Sequence, residues 1–344
     1  AIVLEMPTIE AIRKFYGPAV GVLCGLTCMF GSVAYQVGNF SGSGMGLSLV
    51  FPMLNWKVGG VILTLLAAYF ILGKNVYHTI ERFMRYCVLA MVVCFLISLV
   101  ASGGFSITGA VSGLIPQIPD PAAILTILAF VGSTCSLPGV AYGTYLGKEK
   151  KWNRDNLKDG SINWDTVIGV GSIGIVVIMV LFVGVEVLKP QGLTVKSVSD
   201  LAVALNPIIG SAANILIGLA FLGAAMSSMI ANAQMSATLL LSGFGKPYSM
   251  ESKGVKIVAT CVLAFGCVLG LVLGSAPIQT LMVAAACTII AMPVLGLFAI
   301  LLLLRKEMGE YRPSKVYICA MFASYALLIA VTIKNISDFI AKYL

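Results

Sequence analysis

The sequence predicts an all-α polytopic membrane protein, and three observations lead to that class. Of its 344 residues, 59% are hydrophobic and only 10% are charged, against about 25% charged residues in soluble globular domains. The apolar runs are about 18 to 25 residues long, unlike the alternating ten-residue segments of a membrane β-barrel. Because hydrocarbon accommodates only helices and closed barrels, these runs predict membrane-spanning helices.

Nine apolar runs are each close to the roughly twenty residues that cross a bilayer. They lie at about 17–37, 57–73, 84–101, 122–147, 164–188, 208–242, 254–274, 277–304 and 314–336. The fourth run is interrupted, and the sixth is longer than a bilayer is thick, which predicts tilt or an extension beyond the membrane. Residues 1–344 are interpreted as a single transmembrane domain. It opens at Ala1 without an initiator Met or a basic leader, so we expect an N-terminally incomplete chain.

The positive charges predict the orientation of these spans. Of the 22 Lys and Arg residues, 17 fall in connecting segments on one side and five on the other. Cytoplasmic loops carry the excess of Lys and Arg, so we expect a plasma (inner) membrane protein with a cytoplasmic N-terminus and an external C-terminus. The net charge of +8 is spread over these short loops. This distribution indicates contact with membrane lipids and argues against a nucleic-acid partner.

Cysteines and glycines in the apolar runs predict packing. The nine cysteines contain no CxxC pair, and Cys24 and Cys28 share a helix face, where two thiols do not make a metal site. The segment GSGMG at 42–46 lacks the strand and lysine of a phosphate loop and predicts a turn. Glycines at four-residue spacing predict a close helix contact, namely Gly266, Gly270 and Gly274.

The stretch GSTCSLPGVAYG at 132–143 interrupts the fourth apolar run. Pro138 removes a backbone donor and Gly139 weakens helix further, so the helix is predicted to break at this pair. Broken helices at mid-membrane form the ion and substrate sites of many secondary transporters. The alternative is a simple proline kink whose freed carbonyl is satisfied by a nearby hydroxyl. The hydroxyls in reach are those of Ser133, Thr134 and Ser136.

Acidic residues are missing from the middle of the predicted spans. Only Glu186, near the outer end of its run, approaches membrane depth. Because proton-coupled carriers usually need titratable groups inside the membrane, we expect transport without proton coupling.

Four segments occur in an order that resembles the NRAMP family of divalent metal transporters, helices three to eleven. They are EMPTIEAIRKFYGP at 5–18, LPGVAYGTYLG at 137–147, FLGAAMSSMIANAQMSATLL at 221–240 and IIAMPVLGLFAILLLL at 289–304. The resemblance implies a LeuT-like inverted-repeat transporter fold, with nine family helices in this chain and the first two absent. It also implies transport of divalent metal ions.

The chain departs from the family pattern at each place where the family binds metal or moves protons. The first helix, with its Asp-Pro-Gly-Asn motif, has no counterpart. In helix six the family's Met corresponds to Leu137 or Ser136 and its His to Gly139 or Pro138, depending on the register. The polar Gln of helix ten corresponds to Ala291. In helix three, the acidic residues of the family are replaced by Ser32 and by Tyr35 or Gln36.

Taken together, the missing family residues indicate that the transported ion is a hard cation. Without the thioether, hydroxyls and carbonyls remain, and Mg²⁺ is often bound through its own waters. The pattern resembles the NRAMP-related magnesium transporters, which carry Mg²⁺ and Mn²⁺ without proton coupling. The predicted metal site comprises Ser133, Thr134, Ser136, Leu137 and Gly139. The metal is substrate rather than cofactor, no enzymatic activity is expected, and the oligomeric state is left open.

Two other functions remain open from the sequence. One is a carrier of the same fold for a small organic solute such as an amino acid or amine, with backbone donors of the broken helix binding a carboxylate. The other is a membrane scaffold that transports nothing. A wide cavity with aromatic side chains near Tyr142 would favour the organic solute, whereas a compact, oxygen-lined cavity would favour a metal.

Overall fold

The computed structural model describes residues 1–74, 136–188, 210–273 and 291–343, with scattered positions between 82 and 115 and between 192 and 206. These residues form helices and short connections, and none of them belongs to a β-strand. The predicted span at 84–101 is covered only at scattered positions. The stretches 122–135 and 277–290 lie outside the described residues.

The described residues contain ten α-helices. They are α1 (Thr8–Tyr16), α2 (Pro18–Val50), α3 (Trp56–Leu72), α4 (Leu137–Glu149), α5 (Arg154–Lys158), α6 (Ser161–Val183), α7 (Ala212–Gly243), α8 (Lys253–Leu273), α9 (Ala291–Leu303) and α10 (Lys315–Tyr343). A π-helical turn, Gly184–Leu188, continues α6, and a 3₁₀ segment, Lys306–Tyr311, precedes α10. Within this part of the chain, α2, α6, α7 and α8 are each apolar and long enough to cross a bilayer.

Helix α1 is short and amphipathic and leads directly into α2. Ile9, Ala11 and Ile12 are its buried residues. The helix ends at Gly17, whose φ of 99° lies in a region that side chains disfavour. Pro18 then begins α2, at a position where its missing N–H is not needed.

Helix α2 spans 33 residues, so the expected end near residue 37 and the expected turn at 42–46 are both wrong. The Gly/Ser segment is helical and largely buried. A Cβ at Gly44 would overlap the carbonyl oxygen of Trp56, and one at Gly46 would lie 2.8 Å from the backbone nitrogen of Leu222. The glycines therefore bring α2 close to α3 and α7 instead of breaking the helix.

Helices α2 and α7 run antiparallel and form the centre of the bundle. Gly21 and Gly25 of α2 contact the backbone at the end of α7, whereas Gly46 contacts the part near its start. Helix α8 packs on α2 through the predicted glycine stripe: Gly266 lies on Gln36 and Gly270 lies on Phe40. The close packing is confirmed for these two glycines, and Gly274 lies outside the described residues.

Cysteines in the core serve as packing residues, as predicted for the pair in α2. Cys24 and Cys28 are fully buried in an apolar cluster with Ile12, Leu239 and Leu295.

Helix α6 exposes aliphatic side chains along most of its length. Such a helix is suited to contact with hydrocarbon or with other apolar helices.

Candidate functional site

A cavity of about 490 Å³ lies between α2, α4 and α7. Its polar lining residues are Ser32, Tyr35, Asn39, Ser136, Ser228 and Asn232, and its apolar lining includes Pro138, Tyr142, Phe221, Ala224, Ala225, Ala231 and Met235. Gly38, Gly42 and Gly139 complete the wall. On α7 the lining ends at Met235, about two turns before the helix ends. The cavity therefore lies within the helix bundle, beside the start of α4 and away from the ends of α2 and α7.

Within the fourth apolar run, the described chain begins a helix after Ser136, two residues before Pro138, where the break was predicted. Ser136 is extended (φ −66°, ψ 102°) and caps α4, accepting a 3.3 Å hydrogen bond at Oγ from the N–H of Gly139. Pro138 and Gly139 are inside the first turn of α4, where the N–H groups have no helical partner. The predicted break at Pro138-Gly139 is corrected accordingly, because this pair begins a helix.

The predicted site residues are divided between two environments. Ser136 and Gly139 line the cavity. Leu137 is not among the lining residues; it packs in the apolar cluster near Gly296 of α9. Ser133 and Thr134 lie outside the described residues.

Three polar residues that line the cavity were missed from the sequence: Asn39 on α2 and Ser228 and Asn232 on α7. Ser228 and Asn232 are four residues apart, and so are Tyr35 and Asn39, which puts each pair on one helix face. The Nδ2 of the buried Asn39 has no hydrogen-bond partner. Polar residues spaced by four within an apolar run were the available signal, since such residues face the bundle interior.

Gln36 is separated from this cavity although it neighbours Tyr35 in sequence. Its Nε2 donates a 2.9 Å hydrogen bond to the carbonyl oxygen of Met229, and its side chain is buried under Gly266. Of the helix-three residues considered in place of the family's acids, Ser32 and Tyr35 line the cavity and Gln36 fastens α2 to α7.

The described lining contains neutral oxygen donors and one sulfur, the thioether of Met235, and no Asp, Glu or His. Within the described ranges, no group of three or more His, Cys, Asp and Glu side chains is arranged to hold a metal. Glu186 lies in the π-helical turn after α6 and does not line the cavity. Such a donor set suits a hard cation that keeps several of its waters.

A packed layer of side chains lies between the cavity and the end of α7, on the side that the charges predict to be cytoplasmic. Tyr142 and Tyr145 are buried there, and the Tyr145 hydroxyl donates a 2.6 Å hydrogen bond to Ser242 Oγ. The N–H of Thr8 donates to Thr144 Oγ1 at 3.1 Å, which joins α1 to α4.

Beyond this layer, Tyr248 in the connection 244–252 donates to Glu10 Oε2 and accepts from Lys148 Nζ. Burial and the Glu10 carboxylate raise the pKa of Tyr248. The hydrogen bond to Tyr248 raises the pKa of Lys148. Both groups therefore keep their protons at neutral pH.

A second, larger cavity of about 940 Å³ lies between residues 1–7, α4, α5 and α6. Its cations are already engaged: Lys150 pairs with Asp165 at 2.9 Å, and Arg154 lies 3.8 Å from Glu5. The smaller cavity is the candidate site because α4, the helix that carries Pro138 and Gly139, begins at its wall.

Long apolar helices packed together around an internal cavity define this chain as a helical membrane protein. A family model described as "Natural resistance-associated macrophage protein-like" matches residues 1–338. The chain belongs to this family, and the resemblance seen in the sequence is confirmed.

Several proteins of known sequence are similar to the chain. A "Divalent metal cation transporter MntH" of Bradyrhizobium diazoefficiens is 21% identical over 258 residues, covering 71% of this chain and 56% of that protein. An uncharacterized membrane protein of Haemophilus influenzae is 24% identical over 231 residues (65% and 55%). The Bacillus subtilis membrane protein YcsG, also uncharacterized, is 23% identical over 260 residues (74% and 62%). The chain thus spans little more than half the length of these curated relatives.

Among solved structures, crystal structures of two variants of the Eremococcus coleocola manganese transporter superpose with a TM-score of 0.81. Each shares 16% sequence identity with this chain. The superposition covers 99% of this chain and 76% of the manganese transporter chain. This match confirms the predicted LeuT-like transporter fold.

Proposed function

We propose that the protein transports divalent metal ions, Mg²⁺ and also Mn²⁺, through the cavity between α2, α4 and α7. The observation that carries the proposal is the group of hydroxyl and amide side chains in the cavity wall beside the start of α4, in a chain of the NRAMP family. The names of two similar proteins, a divalent metal cation transporter and a manganese transporter, support the same substrate class.

The cavity has room for an ion that keeps part of its water, and its oxygen donors favour such an ion. Six waters at about 30 Å³ each need roughly 180 Å³, and the cavity is about 490 Å³. Hydroxyl and amide oxygens from Ser136, Asn39 and Asn232 suit Mg²⁺ and Mn²⁺. Met235 also packs in the apolar cluster around α1 and α9, so we assign its thioether to packing and expect no strong preference for soft metals.

Transport is proposed to be independent of protons. The described cavity wall carries no carboxylate or imidazole that would take up a proton between about pH 5 and pH 8. Ion entry therefore moves net charge across the membrane and responds to voltage.

We also propose a plasma (inner) membrane location with a cytoplasmic N-terminus and an external C-terminus. The described connections at 148–158 and 305–315 carry many of the basic residues. Single cysteines introduced at 148–158 should react only from the cytoplasm, and those at 104–118 only from outside. Labelling of both segments from one face would contradict this topology.

A second candidate is a carrier of a small organic solute with a carboxylate or amine group. Two observations favour it: the cavity exceeds a hydrated ion in volume, and Tyr35, Tyr142 and Phe221 line it. The first turn of α4 also faces the cavity, and a helix N-terminus favours a negative group.

One competition experiment separates the two candidates. Full-length protein is reconstituted into liposomes that contain a trapped Mg²⁺ indicator. Uptake is measured with Mg²⁺ alone, with Mn²⁺ alone, and with Mg²⁺ in the presence of a panel of amino acids and amines. Metal transport predicts uptake of both ions and no inhibition by the organic solutes. Absence of metal uptake together with saturable uptake of a labelled solute would instead establish the second candidate.

A further inference from the structure

One hydroxyl group joins three separate elements at the end of α4 that is remote from the cavity. Tyr248, in the connection between α7 and α8, donates a 2.5 Å hydrogen bond to Glu10 Oε2 of α1. The Tyr248 hydroxyl oxygen also accepts a 2.6 Å hydrogen bond from Lys148 Nζ of α4. We name Glu10, Lys148 and Tyr248 the Tyr248 clamp.

The clamp is backed by an aromatic contact on the same face of α4. The rings of Tyr145 and Tyr248 are nearly perpendicular, at 88°, with centroids 5.0 Å apart. Tyr145 is buried, and its hydroxyl donates to Ser242 near the end of α7. Since Tyr145 and Lys148 are three residues apart, one face of α4 carries both contacts.

Helix α4 runs from the cavity to this clamp. Its first residues, with Ser136, line the cavity, and Lys148 lies in its last turn. The opposite face of α4 is open within the described residues: Val140 is 68% exposed, and Gly143 is also exposed. Elsewhere α4 is held by the Thr8–Thr144 hydrogen bond and by apolar packing, and the Tyr248 clamp adds the charged hydrogen bond that holds its last turn.

We infer that Tyr248 is a positioning residue whose two hydrogen bonds hold α4 in the conformation that closes the cavity toward the predicted cytoplasmic face. Release of the clamp lets α4 swing away from α7 and opens the cavity on that side. This inference rests on the proposed transport function, but its first test needs no substrate.

The test measures how fast a cavity thiol reacts from the predicted cytoplasmic face. Ala231→Cys puts the thiol in the cavity wall of the full-length protein, and a membrane-impermeant thiol reagent is added at that face. The rate of the same protein without Ala231→Cys is subtracted. Tyr248→Phe removes both hydrogen bonds and keeps the ring on Tyr145, so the reaction should be about tenfold faster. An unchanged or slower rate overturns the inference.

A second variant and a matched control keep the test specific. Lys148→Met removes one of the two bonds and should also accelerate labelling, by less than Tyr248→Phe. Ser249→Ala removes the neighbouring 3.2 Å bond from Ser249 Oγ to Glu149 Oε1 and should leave the rate unchanged. Equal acceleration by Ser249→Ala would show that loosening the connection is sufficient, and would overturn the role assigned to Tyr248.

Uptake kinetics give a readout that a purely structural role would not produce. Tyr248→Phe should change the maximal rate of uptake and leave the half-saturating concentration within about twofold, because no clamp residue lines the cavity. The reverse pattern, altered half-saturation at constant maximal rate, overturns the inference. If metal uptake is absent but labelling still accelerates, the proposed function fails and the clamp stands.

Discussion

Gln36 of α2 donates a 2.9 Å hydrogen bond to the carbonyl oxygen of Met229 in α7, whereas Asn39, three residues further on, lines the cavity. Two amide side chains of one helix thus have different tasks. Gln36 fastens the two central helices, and Asn39 offers its carboxamide to whatever occupies the cavity.

Acidic replacements at these two positions should lower the free energy of unfolding by different amounts. Gln36→Glu must either bury a charge beside the Met229 carbonyl or take up a proton, so the free energy of unfolding should fall by about 2 kcal/mol or more at pH 7. Asn39→Asp places its carboxylate in the wall of a cavity of about 490 Å³, which has room for water, and should therefore cost less than Gln36→Glu. Thermal unfolding in detergent at pH 7 measures both. Similar losses for the two variants would contradict the separation of their environments.

Asn39→Asp should also make transport depend on pH. The parent offers no carboxylate or imidazole in the described cavity wall, so its uptake rate should be nearly constant from about pH 6 to about pH 8. The variant should bind the cation more tightly when its carboxylate is ionised, and lose that advantage as the pH falls. Uptake measured over this range tests the contrast. A pH-dependent parent would argue against proton-independent transport.

Gly44 should tolerate no side chain, because a Cβ would overlap the Trp56 carbonyl oxygen in the backbone of α3. Gly44→Ala should lower the free energy of unfolding by about 2 kcal/mol or more. The matched control is Gly174→Ala in α6, where nothing lies within 4 Å and the higher helix propensity of Ala should raise stability by up to about 1 kcal/mol. Equal melting temperatures for the two variants would contradict the close α2–α3 contact.

The Tyr248 clamp should be insensitive to pH near neutrality. Burial and Glu10 raise the pKa of Tyr248 above its ordinary 10.0, and the hydrogen bond to Tyr248 raises the pKa of Lys148 above 10.5. Because the pKa of Lys148 is higher in the folded protein than in the unfolded chain, its contribution to stability is fully present below the pKa of the unfolded chain. That contribution is lost as the pH rises through the pKa of the folded protein. The ratio of labelling rates of Tyr248→Phe and parent should therefore be constant from about pH 7 to about pH 9. A ratio that falls toward one within this range would contradict the assigned protonation states.

A thioether introduced at Ser136 should alter metal preference, and one at Leu137 should not. Ser136 lines the cavity, whereas Leu137 packs near Gly296 of α9. Ser136→Met should raise the affinity for Cd²⁺ relative to Mg²⁺ by roughly tenfold, about 1.4 kcal/mol. Competition of Cd²⁺ against Mg²⁺ uptake measures the shift. A larger effect from Leu137→Met would reverse the register assigned to helix six.

The sequence was sufficient for features set by local composition. Long apolar runs predicted the spanning helices, and the four-residue spacing of Gly266 and Gly270 predicted a close helix contact. The interruption near Pro138 was predicted to within two residues. It was misplaced because proline in the first turn of a helix looks the same in sequence as proline at a break.

Features that depend on contacts between distant segments could not be predicted. The segment 42–46 suggested a turn because Gly and Ser favour turns in water, but inside the bundle the same residues let α2 approach α3 and α7. Asn39 and Asn232 each have a polar neighbour four residues away, which marks one helix face, but only the fold brings the two faces to one cavity. In the Tyr248 clamp, Tyr248 lies 238 positions from Glu10 and 100 positions from Lys148.

Uptake of Mg²⁺ by the full-length protein, with trapped Mg²⁺ and pH indicators in the same liposomes at controlled voltage, tests the central claim most directly. We predict saturable, voltage-dependent uptake of Mg²⁺ without internal acidification. It should be lost in Asn232→Leu, which removes a cavity amide, and kept in Ser172→Ala, which changes an exposed residue of α6. Acidification in proportion to the metal, or full uptake by a folded Asn232→Leu protein, would contradict a proton-independent route through the cavity between α2, α4 and α7.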